Sequence, residues 1–356
     1  MDIPERMRAA VLYAPGDLRV ERVPVPEPGE GEVLVRVGVC GVCGSDVPRV
    51  LKKGTYRCPL IPGHEFAGTV VQPGPEVREW HVGDRVAVFP LIPCRRCEWC
   101  EEEAYEICDD YDYLGSRSNG AFAEYVVAPA WNLVRVPKGV PLEAAAMTEP
   151  AAVALHALNQ YVVQEGDLVV IFGAGPIGLM VAQWATAQEA GEVWIVDIQP
   201  RKLEVARRLT SAQCLNGAEV DAVAEIRKGT NGRGVHLAVE AAGVPATVRQ
   251  CLTVTSKLGE VVLLGNPSAE VTIPQDEVSQ VLRKQLTIHG TWNSVFRGRK
   301  DDEWSATLEA MDKGDLDLVP LITHRYGIDE ANEAFRMMGE SKQFYNKVMF
   351  CFDAPA

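Results

Sequence analysis

The chain of 356 residues contains no run approaching the roughly 18 consecutive apolar residues of a membrane-spanning helix, so no integral membrane segment is expected. Residues 1–10 lack the basic start and apolar run of a secretory leader, and the expectation is a cytoplasmic protein. Positive charge is scarce: 35 Lys and Arg face 49 Asp and Glu, for a formal net charge of −14. A nucleic-acid surface, which needs cations clustered on one face, is therefore disfavoured and a small-molecule role favoured. No block of five or more like charges, low-complexity tract or internal repeat is present, and the short acidic run at residues 101–103 reads as a solvated turn. Only six histidines exist, which limits imidazole chemistry to few positions.

Cysteine, by contrast, is clustered. Four of the ten fall as Cys94-x2-Cys97-x2-Cys100-x7-Cys108, in a window that would hold fewer than one at the chain's mean frequency. Two-residue gaps let a tight turn aim successive sulfurs at one point, and four thiolates about 2.3 Å from a common centre form the closed tetrahedral set of a structural Zn²⁺. A lone C-x-x-C also begins disulfide oxidoreductases, but four thiols without thioredoxin-like surroundings favour metal. The scattered remaining cysteines fit a reducing compartment better than a disulfide framework. The cluster lies in a loop over residues 90–119, which cannot bury a core of its own and for which a metal is an internal staple.

With 47% hydrophobic and 24% charged residues, the composition is that of a globular protein, at a length that favours two domains. Up to about residue 150, short β-like runs (LRVERV, EVLVRVGV, FAGTVV, DRVAVF, AFAEYVVA) alternate with Pro- and Gly-rich turns, which predicts an irregular antiparallel barrel. EAAAMTEPAAVALHALNQYV reads as a helix interrupted at Pro150. Short apolar runs (LVVIFG, VWIVDI, VHLAVEAAG, GEVVLLG, LTIHGTW) then alternate with helical stretches over residues 154–294, the pattern of βαβ units around a buried parallel sheet. The tail adds two helix-like segments and a last strand, KVMFCF.

The first βαβ unit carries Gly173-Ala174-Gly175-Pro176-Ile177-Gly178 at the end of a strand and the start of a helix. The first glycine permits a tight turn, the second lets a pyrophosphate approach the backbone, and the third lets helix and strand pack closely. Asp197 ends the next strand, placed to accept hydrogen bonds from the adenosine ribose and to repel the extra phosphate of NADP, so NAD is the expected cofactor. The plainer alternative is that Asp197 only begins the turn before the next helix.

Near the front stand Cys40-Gly-Val-Cys43-Gly-Ser45-Asp46, then Gly63-His64-Glu65 and, at the domain boundary, Glu149-Pro150. Together with the cysteine loop and the dinucleotide motif, these segments resemble the zinc-dependent medium-chain dehydrogenases, the superfamily of alcohol and sorbitol dehydrogenases, over the whole chain. The resemblance implies a GroES-like barrel domain over 1–153 and 295–356 and a Rossmann NAD-binding domain over 154–294. It further implies a catalytic zinc on Cys43, His64 and either Glu65 or Glu149, a second zinc on the four-cysteine loop, and Ser45 as acceptor of the alcohol proton. Cys40 is then a small core residue; His81, His156, His236, His289 and His324 are structural; and Cys58, Cys214, Cys251 and Cys351 are core thiols.

Well-known members carry a histidine three residues after the relay Ser or Thr, where it ferries the proton to solvent, but this chain has Pro48 there. CGSDVPR, YDYLGSRSNGAFAEY and VLRKQLTIHGTW look like the galactitol-1-phosphate 5-dehydrogenase branch, which implies NAD-linked oxidation of a secondary hydroxyl on a polyol, phosphorylated or free. A substrate phosphate would call on Arg49, Lys52, Lys53 and Arg57 or on Arg297, Arg299 and Lys300, each group reading equally as a solvated loop. The alternatives are a dehydrogenase for sorbitol or another polyol, a cyclitol or an amino alcohol, and a zinc-containing nucleotide-binding regulator without turnover. Relatives assemble as homodimers or homotetramers, so self-association through edge strands of the cofactor domain is expected.

Overall fold

The computed structural model describes residues 3–352, which divide into two compact units: 3–150 with 294–314 and 318–352, and 151–293 with 315–317. The first boundary falls inside a helix, Thr148–Leu158. Pro150 does not interrupt that helix. The break comes earlier, between Leu142–Ala145 and Thr148, and Pro150 occupies the first turn, where a backbone N–H has no intrahelical partner to lose. Among the described residues no helix is long and apolar enough to cross a membrane.

The first unit is built on the strand Glu32–Val42, whose apolar residues are buried nearly throughout. One edge pairs antiparallel with Glu65–Pro73; the other pairs with Tyr125–Pro129 along its first half and with Lys347–Cys351 along its last four residues. A strand committed on both edges anchors this irregular sheet, and Arg85–Val88, Leu133–Arg135 and Ile322–Tyr326 extend it. Phe122, Phe335 and Phe350 fill the interior with ring centroids 4.9 to 6.3 Å apart, so the C-terminal helix Ala331–Glu340 and strand belong to this core.

Register decides what meets at the end of that central strand. Gly41 pairs with Glu65 and Val42 with Val348, so Glu65 and Lys347 enter from opposite sides at Gly41. A Cβ on Gly41 would lie 2.3 Å from a Glu65 oxygen and 2.9 Å from Lys347 Cε, which only glycine permits.

The second unit is a six-stranded sheet, all parallel, in the order Gln213–Asn216, Glu192–Asp197, Leu168–Phe172, Val235–Glu240, Thr255–Leu263, Thr287–Gly290. This is the doubly wound Rossmann order, reversing direction beside Leu168–Phe172, where ligands of such sheets bind. The glycine turn follows that strand directly. Gly173 sits at φ +111°, and a Cβ on Gly178 would stand 1.9 Å from the Gly173 carbonyl oxygen. Gly178→Ala is therefore expected to cost about 1–3 kcal/mol by forcing helix from strand, read as a lower denaturant midpoint with an unchanged m-value.

Candidate functional site

Past Val42 the chain turns sharply. Asp46 N–H donates to the Cys43 carbonyl at 3.0 Å and Asp46 Oδ2 accepts from Cys43 N–H at 3.0 Å, fixing Cys43 at the sheet's end. His64 is set by a second loop, which residues 120–122 hold through backbone bonds of 2.7 to 2.9 Å to Ile61, Pro62 and Gly63. This is why AFAEYVVA is regular strand only over Tyr125–Pro129. A Cβ on Gly63, which has φ +98°, would lie 2.5 Å from the Phe122 ring.

These turns bring Cys43, His64 and Glu65 together, with one donor atom of each within 4.8 Å of the others. His64 Nδ1 faces Asp46 Oδ1 at 3.5 Å, leaving Nε2 as its second ring donor, and Asp46 is wholly buried. Such a carboxylate behind an imidazole fixes ring orientation in metal sites. Glu65 is ion-paired with buried Lys347. Glu149 lies outside the three-donor group and accepts a hydrogen bond from the Tyr113 hydroxyl at 3.2 Å; burial pushes its carboxyl up to about 7. Burial lowers the basicity of His64, yet Asp46 and Cys43 outweigh it and carry the imidazole up to about 10.

Three carboxylates, Asp46, Glu65 and Glu149, thus converge here against the cations Lys347 and Arg49. A thiol, an imidazole and a carboxylate in mutual reach are a donor set that fits a divalent metal such as zinc with room for a further ligand. Ser45 lies alongside: its hydroxyl donates to Cys43 Sγ at 3.2 Å and accepts from Arg49 Nη1 at 3.1 Å.

The loop sulfurs form a second group, also within 4.8 Å of one another. Cys94 and Cys100 sulfurs are 4.0 Å apart and those of Cys97 and Cys108 3.8 Å. Bonds of about 2.3 Å to a tetrahedral zinc place ligand sulfurs about 3.8 Å apart, so this set fits a closed centre. A backbone N–H at Asp109 leads the interactions that bring Cys97 down to about 6, whereas burial pushes Cys100 up to about 12.

In the second unit, a Cβ on Gly175 would meet nothing within 4 Å, so the helix Pro176–Ala187 presents an open backbone N-terminus of the kind that holds a pyrophosphate. Asp197 begins the turn before the next helix, the plainer of the two readings, and also touches the glycine loop. Oδ1 accepts from Gln199 N–H at 2.9 Å and begins the turn, while Oδ2 accepts from Ala174 N–H at 2.8 Å and braces the glycine loop, with Lys202 Nζ 3.9 Å away.

Several sequence expectations need correction. Cys58 is exposed rather than a core thiol, and Cys214 and Cys351 are only partly buried; Cys40 and Cys251 are buried. The acidic run at residues 101–103 is not merely solvated, because Glu103 takes Arg299 at 2.7 Å and lies 3.9 Å from Arg297. His236 accepts from Leu168 N–H at 2.9 Å and His289 meets Glu260 at 2.5 Å, structural contacts within the second unit.

Lys347, Tyr113 and Asp46 escaped the sequence reading as site residues. For Lys347 the available signal was a lysine opening an otherwise apolar strand. Lys347→Met should cost about 3–5 kcal/mol by leaving Glu65 buried and unpaired, and adding Glu65→Gln should recover part of that, measured by urea unfolding of all four proteins in the cycle.

Comparison with known proteins agrees with this geometry. Residues 29–138 match the alcohol dehydrogenase GroES-like domain, and residues 176–313 match the zinc-binding dehydrogenase model. Galactitol 1-phosphate 5-dehydrogenase of Escherichia coli K12 is 34% identical over 93% of this chain and 96% of its own. Sorbitol dehydrogenase of Bacillus subtilis 168 is 34% identical over 98% of this chain and 97% of its own. The crystal structure of galactitol-1-phosphate dehydrogenase from Escherichia coli superposes with a TM-score of 0.90 at 34% identity, over 97% of this chain and all of that one. The chain belongs to the zinc-type medium-chain alcohol and polyol dehydrogenases, oxidoreductases that act on CH–OH donors.

Proposed function

We propose that the protein oxidises a secondary hydroxyl of a polyol or polyol phosphate, galactitol 1-phosphate foremost, to the corresponding ketose, with NAD as acceptor and two zincs per chain. The observation that carries the reading is the Cys43, His64 and Glu65 donor group with Ser45 in hydrogen-bond contact with Cys43. These three residues would hold the catalytic zinc, with Glu149 the next carboxylate at hand, and Cys94, Cys97, Cys100 and Cys108 the structural one. Bound there, zinc supplies a Lewis acid that makes the substrate hydroxyl more acidic. The turn from Gly173 through Pro176 and Ile177 to Gly178, together with Asp197, would hold NAD, which would supply the hydride acceptor.

Ser45 receives the substrate proton. Its own hydrogen lies on Cys43 Sγ and one oxygen lone pair takes the Arg49 N–H, so one lone pair remains for the substrate hydroxyl. Neither neighbour in sequence can relay that proton further. Pro48 has no titratable group and a guanidinium stays protonated, so as Ser45 takes the substrate proton its own hydrogen must turn from Cys43 Sγ to a water, which carries it on in place of a side chain at position 48.

The same reading includes a homo-oligomer. The edge strand Thr287–Gly290 and helix Gln275–Lys284 leave Leu282, Ile288 and Trp292 at 72%, 44% and 55% exposure, an apolar edge suited to a second copy. The ten free thiols support a reducing, cytoplasmic setting.

Following NADH absorbance across a panel of polyols and polyol phosphates tests the proposal, and absence of turnover throughout would reject it. Ser45→Ala should lower kcat about 10²–10⁴-fold, the range for lost proton transfer, at unchanged metal content. Asp197→Ala should raise KM for NAD about 10–100-fold while relaxing discrimination against NADP; unchanged cofactor kinetics would remove Asp197 from the site.

A further inference from the structure

Of the basic residues after Cys43, only Arg49 is turned to the chemistry. Lys52, Lys53 and Arg57 are exposed, and Arg299 is engaged by Glu103 at 2.7 Å. Arg49 contacts the site through one nitrogen, Nη1, which lies 3.1 Å from Ser45 Oγ and 3.5 Å from Asp46 Oδ1. Its positive charge also acts on buried Tyr113, against the stronger effect of burial.

The looseness of the Asp46 contact is informative. Other arginines here close tightly on carboxylates, Arg8 on Glu124 at 2.9 Å, Arg325 on Glu143 at 2.7 Å and Arg249 on Glu277 at 2.6 Å. Asp46 Oδ1 stays without a hydrogen bond although wholly buried, so Asp46 meets Arg49 only as an ion pair at the Nη1 corner and leaves the other edge of the guanidinium unengaged. Nε and Nη2 make no hydrogen bond among the described residues, and the side chain is 29% exposed. A guanidinium anchored at one corner, with its other edge free, presents the paired donors that match an oxyanion.

We propose that Arg49 is the specificity-determining residue of the site, receiving a terminal oxyanion of the substrate, phosphomonoester or carboxylate, while its Nη1 holds Ser45. The inference rests on the polyol dehydrogenase reading and deepens it. A substrate so anchored has its oxidisable hydroxyl positioned at Ser45 by the same side chain. Anionic polyols are then favoured although the protein as a whole is acidic.

The test compares wild-type holoenzyme with Arg49→Gln and Arg49→Lys on galactitol 1-phosphate, gluconate and free galactitol, with inorganic phosphate titrated calorimetrically into each protein. The wild type should prefer one of the two anions, which also identifies the oxyanion. Arg49→Gln should shrink the ratio of anionic to neutral kcat/KM about 100-fold, mainly through KM, as loss of a charged bidentate contact implies. Arg49→Lys should retain part of the ratio, and phosphate affinity should fall with it. An unchanged ratio, an equal loss on anion and neutral polyol, or a wild-type preference for galactitol would overturn the assignment and leave the dehydrogenase reading intact. Turnover of none of the three would count against that reading instead, and equal phosphate affinity in wild type and Arg49→Gln would then overturn the Arg49 assignment independently.

Discussion

The donor group of the first unit depends on one buried ion pair, Glu65 with Lys347, formed where two strands meet beside Gly41. A carboxylate removed from water needs a partner, and breaking such a pair costs far more than the pair itself contributes. Here the partner arrives from the C-terminal strand, so the donor group near the front of the chain is complete only when residues 347–351 have docked. A Cβ at position 41 would force this pair to shift. Asp46 repeats the arrangement on the other side of Cys43, buried and shared between His64 and Arg49.

Two donor sets of opposite character stand in the same unit. The four loop sulfurs lie at spacings that close around one ion and leave no position for substrate. The Cys43 group offers three donors of three chemical kinds, with a hydroxyl and a guanidinium beside it. Closure staples a loop that has little core. Openness, with charged groups supported from behind by Lys347 and Asp46, is what a reacting alcohol requires. The proposed function accordingly assigns the chemistry to the sparser set, although the denser one dominates the sequence.

Much of this was legible in the residues themselves. Strand alternation marked the barrel, apolar runs between helices marked the parallel sheet, and the glycine spacing marked the turn that Gly173 and Gly178 make. Local signals failed where long-range pairing decides. Lys347 becomes a site residue only because register sets Val348 against Val42, and Tyr113 only because a loop returns it to Glu149. Arg49 could not be separated from its basic neighbours by composition, since a turn of backbone, rather than a pattern, aims it at Ser45. Pro150 misled for a related reason: proline breaks helix interiors but is tolerated in a first turn.

The proposed function requires two zincs in one unit of this chain, in unlike surroundings. Metal analysis of the purified protein with zinc X-ray absorption on wild type and Cys43→Ala tests it most directly. Two zincs per chain are expected in the wild type, with mixed sulfur, nitrogen and oxygen scattering, and a single zinc with four sulfur neighbours in Cys43→Ala. One zinc in both proteins, with an all-sulfur spectrum throughout, would contradict it.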